Sequence, residues 1–204
     1  MSTSDERLHY PATERNREPI AAVLERVLPD AGVVLEIASG SGEHSLYFAE
    51  RLGALTFQPS DPDPQCRASI DAWRASVDEA LAARILPALE LDVQRPPWPL
   101  ASADAILCIN MIHISPWASC VALMKGAAEL LEPGAPLYLY GPYRVGGAHT
   151  APSNASFDAS LRSRDPSWGV RDLEAVIEEA AHSFDHVETV SMPANNLSVV
   201  FRRR

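Results

Sequence analysis

The 204-residue sequence has only three cysteines, Cys66, Cys108 and Cys120, and no C-x-x-C pair. This excludes a disulfide scaffold and points to a reducing compartment. No apolar run approaches the roughly 20 residues that a membrane span needs. The start Met1-Ser2-Thr3-Ser4-Asp5-Glu6 is polar and acidic where a signal peptide is basic and then apolar, so a cytoplasmic protein without a membrane partner is expected. Positive charge is also scarce. The 17 Lys and Arg stand against 27 Asp and Glu, a formal charge of −10, which opposes attraction to a phosphate backbone and disfavours nucleic acid as a partner. The one tight basic cluster, Arg202-Arg203-Arg204, reads as a solvated tail. His182 and His186 have i, i+4 spacing but no evident third ligand, so no metal is expected.

What the chain does have is an alternation of strand and helix patterns over a length suited to one core, and a single domain over 1–204 is expected. Residues 1–32 form a helical lead in which Ile20, Val23, Leu24, Val27 and Leu28 recur at helical spacing behind Pro19. Residues 33–37 read as a strand that breaks into Ser39-Gly40-Ser41-Gly42, after which Leu46, Phe48, Ala49 and Leu52 resume helical spacing. Further strands are expected at 55–58, 88–91, 104–109, 137–140, 186–190 and 197–201, and helices around 70–81, 116–130 and 173–181. This is an α/β, Rossmann-like pattern, a three-layer sandwich around a mostly parallel sheet covered on both faces. Residues 141–168 break the alternation and are expected to form a lid or substrate loop.

Open α/β sheets bind ligands at the carboxyl ends of their strands, where the strand order reverses. Glu36 closes the first strand, and Gly40 and Gly42 let the backbone approach a ligand without a Cβ clash. Asp61 stands 21 positions beyond Gly40 (61 minus 40), about the separation at which a carboxylate grips a ribose diol. Asp92 follows the third expected strand, placed to accept from an adenine amino group. The plainer reading makes the glycines a tight turn and the aspartates helix caps. A dinucleotide fingerprint would want Gly or Ala at position 45, where Ser45 stands, and Glu43 would set negative charge where a pyrophosphate sits. A cofactor without phosphate fits better: S-adenosylmethionine, leaving as S-adenosylhomocysteine. A dinucleotide-dependent oxidoreductase is the weaker alternative.

Glu14-Arg15-Asn16-Arg17-Glu18-Pro19-Ile20, Val34-Leu35-Glu36-Ile37-Ala38-Ser39-Gly40-Ser41-Gly42 and Gln58-Pro59-Ser60-Asp61 together resemble the methyltransferase-like 26 family. Cys108-Ile109-Asn110-Met111, His113, Ser115-Pro116, Tyr140-Gly141-Pro142-Tyr143 and Met192-Pro193-Ala194-Asn195-Asn196 fit the same pattern, which covers almost the whole chain. The resemblance implies a class I methyltransferase fold, with a seven-stranded sheet carrying one antiparallel strand, and S-adenosylmethionine as cofactor. It makes Glu36, Ala38, Gly40 and Gly42 the methionine side of the site, Asp61 the ribose anchor, and Asp92 with Val93 the adenine contacts. Asn110 and Met111 would flank the sulfonium, and Arg15 and Asn16 would meet the cofactor's carboxylate. Ala38 departs from the wider G-x-G-x-G loop of class I enzymes.

Methyl transfer from a sulfonium needs alignment and, for a protonated nucleophile, a base. Asn110-Met111-Ile112-His113 lacks the prolines and aromatic of the N/D-P-P-Y/F motif of nucleobase amino methyltransferases, so a small-molecule acceptor reacting at O, N or S is expected. His113 is the candidate base, against a structural histidine, and Tyr143 either bonds substrate or fills the wall. Asn154, Phe157, Asp158, Arg162, Arg164 and Trp168 are the expected substrate-binding set of the lid, with Asn195 and Asn196 reaching in from the loop before the last strand. For the first group the alternative is a helix laced with i, i+4 pairs such as Asp158–Arg162; for the second, a plain turn. A non-catalytic S-adenosylmethionine-binding protein is the alternative to an enzyme. The sequence leaves the oligomeric state open.

Overall fold

A computed structural model of the chain describes residues 6–204; Met1–Asp5, the first part of the polar lead, lie outside the described residues. The first helix, α1 (Pro11–Val27), opens on Pro11 and carries Pro19 in its interior. It begins eight residues before the expected first turn (19 minus 11), and it buries Asn16, Ile20, Val23, Leu24 and Val27 at helical spacing. Strand β1 (Gly32–Ile37) leads through the glycine loop into α2 (Glu43–Arg51), and β2 (Leu55–Pro59) leads into α3 (Pro64–Ala75) and a single turn, α4 (Glu79–Ala82). Asp63 caps α3 by accepting from Gln65 N, and Pro64 occupies its first turn. Strand β3 (Ala105–Ile109) runs into a 3₁₀ turn, Met111–His113, and α5 (Trp117–Leu130).

The chain then forms β4 (Pro136–Val145), β5 (Ala148–His149), α6 (Pro152–Arg164), β6 (Arg171–Asp172), α7 (Leu173–Ala180), β7 (Phe184–Met192) and β8 (Asn196–Arg203). The main sheet order is β2-β1-β3-β4-β8-β7, with the short β5 and β6 paired to β4. Strands β2, β1, β3 and β4 are mutually parallel, and β8 runs against both β4 and β7. Along this main path it alone, among the described residues, runs antiparallel to the neighbours on both its sides; the short β5 is also antiparallel to β4. Successive residues serve opposite faces: Val34, Leu107, Tyr138 and Val200 meet Ile20, Leu24 and Phe48 on one side, whereas Leu35, Ile106, Leu139 and Val199 meet Leu123, Ala127 and Val176 on the other. Two apolar layers on a sheet buried on both faces give the three-layer sandwich.

The structure differs from the sequence pattern in four places. The strand expected at 88–91 is reduced to isolated bridges, Phe57↔Ile85 and Ser60↔Leu89: Phe57 N and Asp61 N donate to Arg84 O and Leu89 O, but Pro59 between them has no N–H to continue the ladder. With β5 and β6 counted, the sheet has eight strands among the described residues, where seven are expected. The segment 141–168 is ordered: β4 continues to Val145, Gly146 and Gly147 turn at positive φ into β5, and α6 follows. The terminal arginines form no solvated tail. Arg202 and Arg203 end β8, and their guanidinium groups donate to the carbonyls of Val27, Gly134, Ala128 and Ser183. All three cysteines are unpaired and buried. Among the described residues, no helix is long and apolar enough to cross a membrane.

Candidate active site

Strand order reverses between β1 and β3, and the loops that leave their carboxyl ends meet there. Glu36, almost fully buried in β1, accepts a short bond from Ser45 Oγ of α2, while its carbonyl accepts from Ser39 Oγ (3.1 Å) and Ser60 Oγ (2.8 Å). The loop beyond it turns through left-handed Ala38, Gly40 and Gly42, at φ 54°, 58° and 89°. Gly42 has no alternative, since a Cβ there would stand 2.9 Å from the Ile70 backbone as well as in an unfavourable conformation. Asp61, at the end of β2, accepts from Gly40 N (3.0 Å) with one oxygen and from Asp63 N (2.9 Å) with the other. The 21-residue spacing therefore joins the two loops directly.

A cavity of about 920 Å³ opens over these loops, and a second of about 290 Å³ adjoins it through Ala38, Asp61, Met111 and Ile114. Arg15, Asn16, Glu36, Ala38, Gly40, Asp61, Asn110 and Met111 line the larger one; Asp92 and Val93 line the smaller. Of the expected cofactor residues only Gly42 lines neither, being packed on Ile70. Asp92 also caps its own turn, accepting from Gln94 N at 3.0 Å and pairing with Arg95 at 3.3 Å.

The roof had no signal in the sequence pattern. Tyr10, Pro11, Ala12 and Thr13 line the larger cavity, and the Tyr10 ring lies where a Cβ on Gly40 would be 3.0 Å from it. Tyr10 N donates to Glu43 Oε2 (2.8 Å), Leu8 N to Ser69 Oγ (2.8 Å), and Trp73 Nε1 to Leu8 O (3.1 Å). His44, Cys66 and Ile114 are further lining residues that sequence reasoning missed. His44 carried one readable signal, its place in the first turn of the helix after the glycine loop.

Burial dominates the electrostatics. It pushes the Glu36 carboxyl up to about 7, against the lowering effect of its bonds from Ser45 and Ser39, and Asp61 repulsion adds to the rise. Burial holds His44 down at about 3, helped by Arg17, so the ring is neutral as it meets Asn16 Oδ1 at 2.8 Å. Tyr10 is pushed up to about 12, by burial first and then by Cys66 and the nearby aspartates, and the Cys66 thiol is raised for similar reasons.

The residues expected to carry catalysis lie elsewhere. His113 is completely buried beneath the wall, edge-on to Tyr143 with ring centroids 5.0 Å apart, and neither ring nitrogen has a hydrogen-bond partner. Burial, then Arg171, holds it at about 3. Tyr143 is also fully buried, its hydroxyl unpartnered and its pKa raised well above the ordinary tyrosine value by burial. Neither lines the cavity.

Of the expected substrate residues, Trp168 lines the cavity and the others do not. Asn154 is buried and donates to Thr150 Oγ1 (3.0 Å) and Asn195 O (2.9 Å). Asp158 accepts from Val170 N (2.7 Å) and Arg162 Nε (3.1 Å), and faces His149 at 3.5 Å. The Asp158–Arg162 pair is thus the i, i+4 link of a folded helix. Phe157 is exposed on α6, the Asn195 amide reaches Ser153 Oγ at 3.4 Å, and Asn196 closes on Pro193 O at 3.1 Å. Asn154, Asp158 and Asn195 thus fasten α6 to its surroundings.

A family model described as "Protein of unknown function (DUF938)" matches residues 7–203; that description does not name the methyltransferase-like 26 family. The chain is similar in structure to an O-methyltransferase family 2 protein from Planctomyces limnophilus solved with apigenin, at 20% identity and a TM-score of 0.77, over 95% of this chain and 58% of that one. It is also similar to the S-adenosylmethionine-dependent methyltransferase SibL, at 18% identity and a TM-score of 0.76, over 94% of this chain and 55% of the other. CalO1, a methyltransferase of calicheamicin biosynthesis solved with S-adenosylhomocysteine, matches at 15% identity and a TM-score of 0.71, over 91% and 54% of the respective chains. The chain spans little more than half the length of these proteins, and the likeness establishes the shared fold.

Proposed function

The chain belongs to the family of proteins of unknown function designated DUF938, and from its fold and cavity we propose that it binds S-adenosylmethionine and transfers the methyl group to an O, N or S atom of a small molecule. The observation that carries this reading is the lining of the two adjoining cavities: Arg15, Asn16, Glu36, Gly40 and Asn110 line the larger, Asp92 and Val93 the smaller, and Asp61 and Met111 both. That set suits an amino acid in the larger cavity, a ribose at the junction and an adenine in the smaller. Gly40 offers close backbone approach, and Asp61 has a carboxylate at the loop junction for a ribose diol. A pyrophosphate fits poorly, because the α2 N-terminus already holds the Glu43 carboxylate, bonded to Tyr10 N and Ser41 Oγ. The methyltransferases that share the fold support the same reading.

When bound, this cofactor supplies an activated methyl group on a cationic sulfur. The residues of this chain hold and orient it, keep water away beneath the Tyr10–Thr13 roof, and fix an acceptor in line. The alternative of a binding protein without turnover draws on one observation: His113 and Tyr143 are sealed away from the cavity.

Calorimetry with S-adenosylmethionine, S-adenosylhomocysteine and NAD tests the cofactor assignment; heat with NAD alone would overturn it. Transfer of labelled methyl into a metabolite extract tests turnover. Tight cofactor binding with no labelled product across broad acceptor pools would favour the binding protein.

A further inference from the structure

At about 920 Å³, the larger cavity is near the top of the roughly 300–1,000 Å³ range for a site holding one small ligand. The smaller cavity adds room at the adenine end, so the sulfonium end of the larger one retains space for a second molecule. The larger cavity alone is walled by Ile109, Asn110 and Trp168, and Met111 and Ile114 stand at its junction with the smaller one. Ile114 is 39% exposed, an uncovered apolar side chain on the wall itself. Trp168 is held firmly: Arg164 lies 5.2 Å from its ring centroid, its N–H donates to Asp165 O (3.0 Å), and Gly169 N beside it donates to His113 O (3.0 Å).

Among the described residues, this end presents no proton acceptor. The lining carboxylates Glu36, Asp61 and Asp63 stand on the cofactor side, bonded to Ser45, Gly40 N and Gln65 N respectively, and His44 is bonded to Asn16. Tyr10 and Cys66 keep their protons, and His113 is beneath the wall. A hydroxyl of phenol type, with a pKa of about 10, would need a base here, whereas a thiol near 8.5 supplies its own nucleophile in water. A neutral amine would leave a cation against an apolar wall, while a thiolate cancels the sulfonium charge.

We propose that the acceptor is an apolar thiol seated against Trp168 and Ile114 that enters as its own thiolate. This rests on the cofactor reading above. The thiolate sulfur attacks the methyl carbon, and the bond from that carbon to the sulfonium breaks with its electron pair passing to the departing sulfur. The thiol proton has already gone to water, and the products are a neutral thioether and S-adenosylhomocysteine.

The test measures S-adenosylhomocysteine formation by the whole chain with benzenethiol, phenol and aniline, after subtraction of the uncatalysed rate. Benzenethiol is expected to exceed the other two by at least about 100-fold in kcat/KM. Its pH profile should also move to higher pH when phenylmethanethiol, a weaker acid, replaces it. Trp168→Ala should raise KM for benzenethiol about tenfold with the S-adenosylmethionine Kd unchanged, and Trp168→Phe should restore most of the loss. Equal turnover of phenol or aniline, a pH midpoint that ignores the acceptor, or silence with all three despite cofactor binding would overturn the thiol assignment alone. Failure to bind S-adenosylmethionine would bring down the cofactor reading itself.

Discussion

Glu36 is the residue through which pH reaches the proposed cofactor site. Its carboxyl, pushed up to about 7, is largely neutral at pH 6 and ionised at pH 8, and only the ionised form attracts an ammonium group. Affinity for S-adenosylmethionine should therefore rise across this interval, with a proton released on binding at pH 6; calorimetry in two buffers of different ionisation heat measures both. A flat affinity without proton release would remove Glu36 from the ammonium. Asp61→Ala should weaken binding by about 1–3 kcal/mol, and Asp61→Asn, which keeps an oxygen for Gly40 N, should lose less. Equal affinity in Asp61→Ala and the parent would refute the ribose assignment. His113 affects stability instead. The folded chain keeps it neutral down to about 3, whereas the unfolded chain protonates it below about 6.5. Its contribution is thus complete above 6.5 and lost as pH falls. His113→Asn should lessen the pH dependence of unfolding between pH 4 and 6 by about 1.4 kcal/mol per pH unit, measured by urea denaturation. An unchanged slope would contradict its neutral burial.

Among the elements, β6 has an influence out of proportion to its two residues. Arg171 Nε donates to Ile112 O (2.9 Å), and Nη2 donates to Ser115 O (2.5 Å) and Ser167 O (2.9 Å). One guanidinium thereby ties the loop after β3 to the segment carrying Trp168. Arg171→Met should cost about 2 kcal/mol or more, since it leaves three carbonyls short of a charged donor. It should also raise the acceptor KM more than the cofactor Kd; equal effects on both would deny the link. Nothing in the sequence marks this residue, because the carbonyls it holds are chosen by distance in space. Glu36, Gly40 and Asp61 were legible because a strand, a turn and a strand end set their geometry within one β–α–β unit. The same locality misled at 88–91, where an apolar stretch looks like a strand but the facing Pro59 withholds a ladder bond and only isolated bridges form. It misled again at Asn154 and Asp158, whose polar side chains suggested a ligand and instead bind Asn195 O and Val170 N.

At the scale of the whole molecule, the candidate site is covered in part by the residues at and just before the start of α1, Tyr10 to Thr13. The segment before α1 is fastened to the far side of the cavity. Leu8 is held by Ser69 and Trp73 of α3, His9 packs against Trp73 with ring centroids 5.0 Å apart, and Tyr10 N is held by Glu43 of α2. The next residues turn into α1, so the segment bridges α3 to α1 directly over Gly40. Its bonds join residues 33 to 65 positions apart, which is why the polar lead showed no periodic signal. Deleting residues 1–10 removes the bridge but none of the core side chains that α1 contributes from Ile20 onward. The shortened chain should still unfold cooperatively, with a weaker hold on S-adenosylmethionine by about tenfold or more as the roof opens to water. Tyr10→Ala should fall between the two. Circular dichroism melting and calorimetry on the three proteins decide the matter: parental affinity in a folded deletion would show that the roof is not needed to retain the cofactor.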